Sequence, residues 1–299
     1  MIFKKGDRDD PGNYRGIALV NTGTKLFNEI LRKRLEKWAE TNNILPESQH
    51  GFRRGRSCTD AIFCLLSAIH LQLRLPKREV YAIFVNFKRA FDSIPHTKVW
   101  QTLQVIRAFF RAKEHVGLNI DGRTDILMQL FADDTVLLTD SPVKLKSLLN
   151  ILADYCAENG LTVNASKSKI MTFKAAGRPK YLDTRFTMYD GTPLEMVYSY
   201  AYLGVLISGI ARSNIPMNAA FGKARSATAS TLSIIFRSHC DNWSSYLKLF
   251  DSSVSSTLLY AIPAWDIRCL GEIEVNTHSY SFSFTNGSLK KLRYQTSTS

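Results

Sequence analysis

Residues 126–138 read ILMQLFADDTVLL, two apolar runs hinged at Ala132-Asp133-Asp134. Runs of this kind form buried strands, and so short a hinge closes them into a tight hairpin. The tip of that hairpin carries two adjacent carboxylates. Burying paired carboxylates costs several kcal/mol unless a cation offsets it. A turn that only faces solvent does not require both arms to be apolar, so the arms favour a cation over simple turn chemistry. A hard cation such as Mg²⁺ takes carboxylate oxygens and keeps water and phosphate for its other positions. Two such ions about 4 Å apart stabilise the attacking and leaving oxygens of a phosphoryl displacement.

The rest of the chain supplies elements to surround such a hairpin. Residues 79–87, EVYAIFVNF, are nearly continuously apolar and β-branched or aromatic, which predicts a strand buried on both faces. Phe27, Ile30, Leu31, Leu35 and Trp38 recur at helical spacing over 24–41, with Arg32, Lys33, Glu36 and Lys37 opposite. A second helix is expected at 60–75, capped by Thr59, and a third at 97–113. A helix over 142–159 ends on Gly160, and strands follow near 161–164 and 169–174. Asp121-Gly122 and Asp190-Gly191 are hairpin turn signals. YAYLGVLIS at 200–208 reads as one extended segment, and helices are expected at 215–236 and 243–260. From Gly271 onward 10 of 29 residues are Ser or Thr without periodicity, which predicts a disordered tail.

Charge points to a partner. The net formal charge is +13, and residues 1–113 hold 21 Lys and Arg against 10 Asp and Glu, with 18 against 16 in the remainder. A basic half of this size suits a polyanion, since each phosphate neutralised releases condensed counterions. A length of 299 residues at 45% hydrophobic content supports a sizeable core. No uncharged apolar run reaches about 18 residues, and MIFKKGDRDD lacks the apolar stretch of a signal peptide. The expectation is an intracellular protein, in nucleus or cytoplasm, neither secreted nor membrane-bound. Five scattered cysteines without a CxxC pair exclude a disulfide scaffold or zinc module.

Seven segments in order resemble the reverse transcriptase domain of non-LTR (LINE-type) retrotransposons: FKKGDRDDPGNYRGIALVN (3–21), ILPESQHGFRRGRSCTDAI (44–62), YAIFVNFKRAFDSI (81–94), LFADDTVLL (130–138), GLTVNASKSKIMTF (160–173), YLGVLIS (202–208) and LLYAIPAW (258–265). The resemblance implies an α+β right-hand polymerase: fingers over 1–78, a palm built on a βαββ sheet over 79–211, a helical thumb over 212–270, then the tail at 271–299. It implies Mg²⁺-dependent (or Mn²⁺-dependent) DNA synthesis from dNTPs, with an RNA template and DNA primer or an RNA–DNA duplex as partners. Asp133 and Asp134 take the metal-binding positions. Phe91 matches the gate that excludes a ribose 2′-OH, and Arg53 and Arg15 match fingers arginines near nucleotide or template, although Gly16 stands where the family usually has proline. Lys167 matches the general acid for the leaving pyrophosphate. Tyr202, Leu203 and Gly204 match the primer grip.

Two departures stand out. The family pattern DFxxAFD reads Asn86-Phe87-Lys88-Arg89-Ala90-Phe91-Asp92 here, so an amide occupies the metal-bridging aspartate position. Asp92 does not replace it, since six positions along a strand span roughly 20 Å. Only 47 residues lead from Asn86 to Asp133, and the Gly-Gln-Gly-rich segment that supports the incoming nucleotide is not found among them. The palm is therefore shortened, the catalytic centre is expected to be impaired, and the chain reads as a fragment of a mobile element. Two other readings compete: a non-catalytic nucleic-acid-binding remnant, and the poorly folding product of a decayed element.

Overall fold

The computed structural model describes residues 2–3, 6–15, 17, 19–88, 117–119, 125–126, 128–132, 134–175, 177, 186–187, 191, 193–210, 215–238 and 242–260. The expected helix at 97–113, the Asp121-Gly122 turn, Phe91, Asp133 and the tail at 271–299 lie outside the described residues. Two compact units divide the chain, residues 1–46 and 47–299, and the expected fingers segment 1–78 spans that division.

In the first unit, β1 (Ile2–Phe3) pairs antiparallel with β2 (Tyr14–Arg15). The intervening loop is tied to itself: Asn13 Nδ2 donates to the Asp7 carbonyl at 2.9 Å and the Tyr14 hydroxyl to the Arg8 carbonyl at 2.8 Å. Helix α1 (Thr22–Thr41) starts where Asn21 accepts the Thr24 N–H at 2.8 Å, a side-chain cap. On its surface the Arg32 guanidinium bridges Glu29 and Glu36, and its hydrogen bonds hold the Glu29 carboxyl at about 2.

The second unit is a five-stranded sheet with a helix on each face. Strands β3 (Glu79–Val85), β6 (Met128–Phe131), β7 (Asp134–Thr139), β8 (Lys169–Lys174) and β9 (Glu195–Val197) lie in the order β6-β7-β3-β8-β9, antiparallel except for β8 with β9. Two further two-residue strands, β4 (Leu118–Asn119) and β5 (Asp125–Ile126), pair with each other. β3 is central, and this explains its unbroken apolarity. Val80, Ala82 and Phe84 pack beneath α2 (Cys58–Leu73), against its Ile62, Leu65 and Ile69. Tyr81, Ile83 and Val85 face the other way, onto Leu145, Leu148 and Leu152 of α3 (Pro142–Asn159). Both faces of the sheet are core, so the period-2 alternation of a half-exposed strand never appears in its sequence.

Three local expectations change. Ser57, not Thr59, caps α2: its Oγ accepts the Asp60 N–H at 3.2 Å while Asp60 accepts the Ser57 N–H at 2.7 Å, a reciprocal capping box. The segment near 161–164 forms only a single bridge, Val163 to Phe87, because the chain turns at 164–168 to enter β8. The stretch 200–208 is a hairpin, β10 (Ser199–Tyr202) and β11 (Val205–Ser208), since Leu203 and Gly204 both take positive φ (45° and 83°) and reverse the chain. After α4 (Ile215–Ser238), the expected 243–260 helix runs unbroken over 243–258 as α5 (Trp243–Leu249), a π-helical stretch over Phe250–Ser255 and α6 (Ser256–Leu258). Met217, Phe221 and Ala224 of α4 pack on Val254 and Leu258. Among the described residues no helix is long and apolar enough to cross a membrane.

Candidate active site

The register of the sheet determines which residues meet. Val85 of β3 lies opposite Thr135 of β7, so the next step of the ladder sets Asn86 beside Asp134. Asn86 Nδ2 is 3.5 Å from Asp134 Oδ1, a long contact in which the amide presents its donor end to the carboxylate. The Asn86 backbone is held from the opposite side. Its N–H donates to Ser168 Oγ at 3.0 Å, and its carbonyl accepts the Asn164 N–H at 2.7 Å. Lys88 N–H donates to the Thr162 carbonyl at 2.8 Å, so the exit of β3 is stitched along 162–168.

That same turn carries Lys167. Its N–H donates to the Asn164 carbonyl at 3.1 Å, its carbonyl accepts the Tyr200 hydroxyl at 3.3 Å, and its side chain is exposed. The Tyr200 ring stacks on Phe84 with centroids 4.5 Å apart, and Tyr202 tilts against the same ring at 5.5 Å. Burial, with the Asp134 charge adding to it, raises the pKa of both phenols, which stay protonated. The Leu203-Gly204 turn is anchored on two sides: Tyr260 donates to the Leu203 carbonyl at 2.7 Å and Lys223 Nζ to the Gly204 carbonyl at 2.6 Å. The fold therefore gathers Asn86, Asp134, Lys167 and Tyr202-Leu203-Gly204 around one end of the sheet. Arg15 lies in β2 of the first unit. Asp133 and Phe91 are outside the described residues.

The segment 48–51 closes the edge of β6. His50 N–H donates to the Leu130 carbonyl at 2.8 Å and Leu130 N–H to the Ser48 carbonyl at 2.9 Å. Gly51 then lies flush on the hairpin tip, where a Cβ would stand 2.3 Å from Ala132 N and 2.9 Å from the Phe131 carbonyl carbon. Ala132 itself takes φ +58° to make the turn. Arg53 is drawn inward, its side chain 8% exposed and 3.8 Å from Glu47, and Arg56 pairs with the same carboxylate. Neither a solvated loop nor an outward-facing arginine describes Arg53.

Sequence reasoning passed over Ser168 and Gly51. Ser168 lay inside the quoted NASKSK stretch and Gly51 inside HGFRRG, yet no local pattern says that either touches a catalytic strand. The Gly51 contact is directly testable. Both opposing atoms are backbone and neither rotates away, so Gly51→Ala is expected to cost about 1–3 kcal/mol in urea unfolding. Gly222→Ala, in open space within α4, should instead stabilise by up to about 1 kcal/mol.

Among the described residues, this end of the sheet offers one carboxylate, Asp134, and beside it the neutral Asn86 amide. Among the described residues no three His, Cys, Asp or Glu side chains converge on a common point.

The family model described as reverse transcriptase (RNA-dependent DNA polymerase) matches residues 2–116 and 106–207. The chain is 27% identical over 258 residues to the 115 kDa protein of the type-1 retrotransposable element R1DM of Drosophila melanogaster, covering 69% of this chain and 24% of that protein. It is 22% identical over 277 residues to the Pol polyprotein from the type-1 retrotransposable element R2 of Popillia japonica, covering 72% and 38%. It is 20% identical over 265 residues to the RNA-directed DNA polymerase from the mobile element jockey of Drosophila funebris, covering 69% and 28%. The chain thus spans well under half the length of these relatives. The matched residues take in both strands that meet at Asn86 and Asp134, the lysine turn that follows them and the Leu203-Gly204 hairpin, and on that ground the chain belongs to the reverse transcriptase (RNA-dependent DNA polymerase) family, in its non-LTR retrotransposon branch.

Proposed function

We propose that this chain derives from an RNA-directed DNA polymerase, binds template and primer strands, and retains at most a weakened form of the polymerase reaction. One observation carries the reading: at the point where β3 meets β7 the neutral Asn86 amide, rather than a second carboxylate, stands beside Asp134. In the inherited reaction Asp133 and Asp134 would hold Mg²⁺ or Mn²⁺, which would supply positive charge for the phosphates of a dNTP. Asn86 contributes a neutral group there, so a bridging charge is missing. The family match also arrives in two pieces that meet at residues 106–116, within the short stretch between Asn86 and Asp133, which supports the loss of a palm segment.

The remaining groups keep roles that this chain's own residues support. Lys167 lies on a turn hydrogen-bonded to the Asn86 backbone through its neighbour Ser168, within reach of a leaving phosphate as a proton donor. Tyr202 to Gly204 is a rigid hairpin tip suited to holding a primer strand. Fingers, palm and thumb are assigned to residues 1–78, 79–211 and 212–270, with Phe91 as the sugar gate and Arg15 and Arg53 as fingers arginines, each by its match to the family pattern. Arg53 turns inward, and its part is to position the loop together with Glu47, which also pairs with Arg56.

Nucleic-acid binding does not depend on the missing carboxylate. Titration of a labelled RNA–DNA duplex at several salt concentrations should give a log–log slope equivalent to at least ~4 phosphate contacts. Neutralising Arg53, Arg54 and Arg56 together should flatten it. A salt-independent affinity, or no binding at low salt, removes this reading of the basic half.

A further inference from the structure

Residues 51–56 hold a feature that the polymerase assignment does not use. Phe52 is 82% exposed and takes φ +58°. A bulky aromatic residue in the left-handed region is a conformational outlier, and such strain persists only where the surroundings enforce it. The enforcement is visible on both sides. Gln49 Nε2 donates to the Gly51 carbonyl at 2.9 Å, Gly51 is wedged on the Phe131–Ala132 peptide, and Arg53 and Arg56 are fastened to Glu47. Along this loop the side chains divide: Arg53 turns inward, while Phe52 and Arg54 stand out into solvent. An outward aromatic ring and an outward guanidinium are thus held rigidly, with Phe52 one residue from the backbone contact with the Ala132 turn.

We infer that Phe52 is a stacking platform for an unpaired nucleobase of a single strand led toward the hairpin tip, with Arg54 on the adjoining phosphate. This rests on the reading above that the basic half binds nucleic acid. Every base presents a π-face, and aromatic rings beside cations are the recurrent means of holding single strands with little sequence preference. A duplex hides those faces and offers phosphates instead, so the platform discriminates for the unpaired strand. Strain and exposure are both unfavourable in the free protein, and a bound base removes the exposure.

The test uses the full chain, fluorescein-labelled 12-nucleotide single strands of RNA and of DNA, and a blunt duplex of the same length, read by anisotropy. Phe52→Ala should weaken binding of both single strands roughly 10-fold, leaving duplex affinity and the single-strand salt slope unchanged. Phe52→Trp should restore binding, whereas Phe52→Leu should not, because an apolar side chain without a π-face does not stack. Arg54→Ala should instead reduce the salt slope by about 1. A 2-aminopurine base in the strand should be quenched by the native chain and not by Phe52→Ala. Phe52→Gly relieves the positive φ, so it should raise the thermal midpoint while weakening single-strand binding as Phe52→Ala does. Unchanged single-strand affinity and quenching in Phe52→Ala overturns the inference, as does restoration by Phe52→Leu or a lowered thermal midpoint in Phe52→Gly. A native chain that binds none of the three nucleic acids at low salt overturns the nucleic-acid reading itself, a result distinct from all of these.

Discussion

Primer extension on a primed RNA template is expected to run on the order of 10²–10³ times more slowly with this chain than with a relative carrying aspartate at the position of Asn86. The factor follows from ~3–4 kcal/mol of transition-state stabilisation, a conservative figure for one bridging ligand. Asn86 offers a single neutral carbonyl oxygen where a carboxylate would place a full charge and two oxygens. The register of β3 on β7 sets this amide directly beside Asp134, its nitrogen 3.5 Å from the carboxylate. Asn86→Asp should therefore raise the rate and tighten Mn²⁺ binding in titration calorimetry. It should not recover the full rate, because the 47-residue interval to Asp133 still lacks the nucleotide-supporting segment. The measurement is single-nucleotide incorporation under excess dNTP. A turnover of about 1 per second or faster from the unmodified chain would show that neither departure matters.

Phe84→Ala should produce the largest stability loss of any single substitution near the site, about 3–5 kcal/mol. Phe84 is 2% exposed, lies on the central strand, and sits under Ile62 and Leu65 of α2. Its ring also receives Tyr200 and Tyr202 from the β10–β11 hairpin, so removal opens a cavity shared by three elements. Since a domain is stable by only about 5–15 kcal/mol in total, the variant should unfold at a much lower urea concentration. Phe63, on the same helix α2 but 49% exposed, is the control: Phe63→Ala should change stability by less than about 1 kcal/mol. A small effect at Phe84 would mean that the hairpin and α2 do not share the core described here, and the poorly folding alternative would gain ground.

The elements that could be read from the chain alone are those whose signal is local. The helix at 142–159 was legible to the residue because apolar positions recur at helical spacing and Gly160 supplies the left-handed cap, at φ 67°. The strand at 169–174 and the ADD hairpin were legible for the same reason, apolar arms around a short hinge. Where the signal was weaker the reading slipped. YAYLGVLIS looked continuous because Leu203-Gly204 is not a usual turn pair, and its reversal depends on anchors from Lys223 and Tyr260, far along the chain. The choice of Ser57 over Thr59 rested on a reciprocal bond that Asp60 completes, and both candidates were good caps in isolation.

The candidate site divides along the same line. Residue chemistry alone singled out Asp133 and Asp134, as acids at an apolar hairpin tip, whereas Asn86 stood out only against the family pattern that the chain resembles. Tertiary structure decided what those groups face. Ser168 lies 82 positions from Asn86 and Gly51 lies 81 from Ala132, and the contacts between them arise only when antiparallel register and the 48–50 bridge bring the segments together. Likewise Arg53 lies inward while Phe52 and Arg54 stand outward, a division that no spacing of arginines could show. Propensity and hydrophobic periodicity are properties of a few neighbouring residues, whereas hydrogen bonds and steric contacts between distant segments exist only once the loops between them have closed.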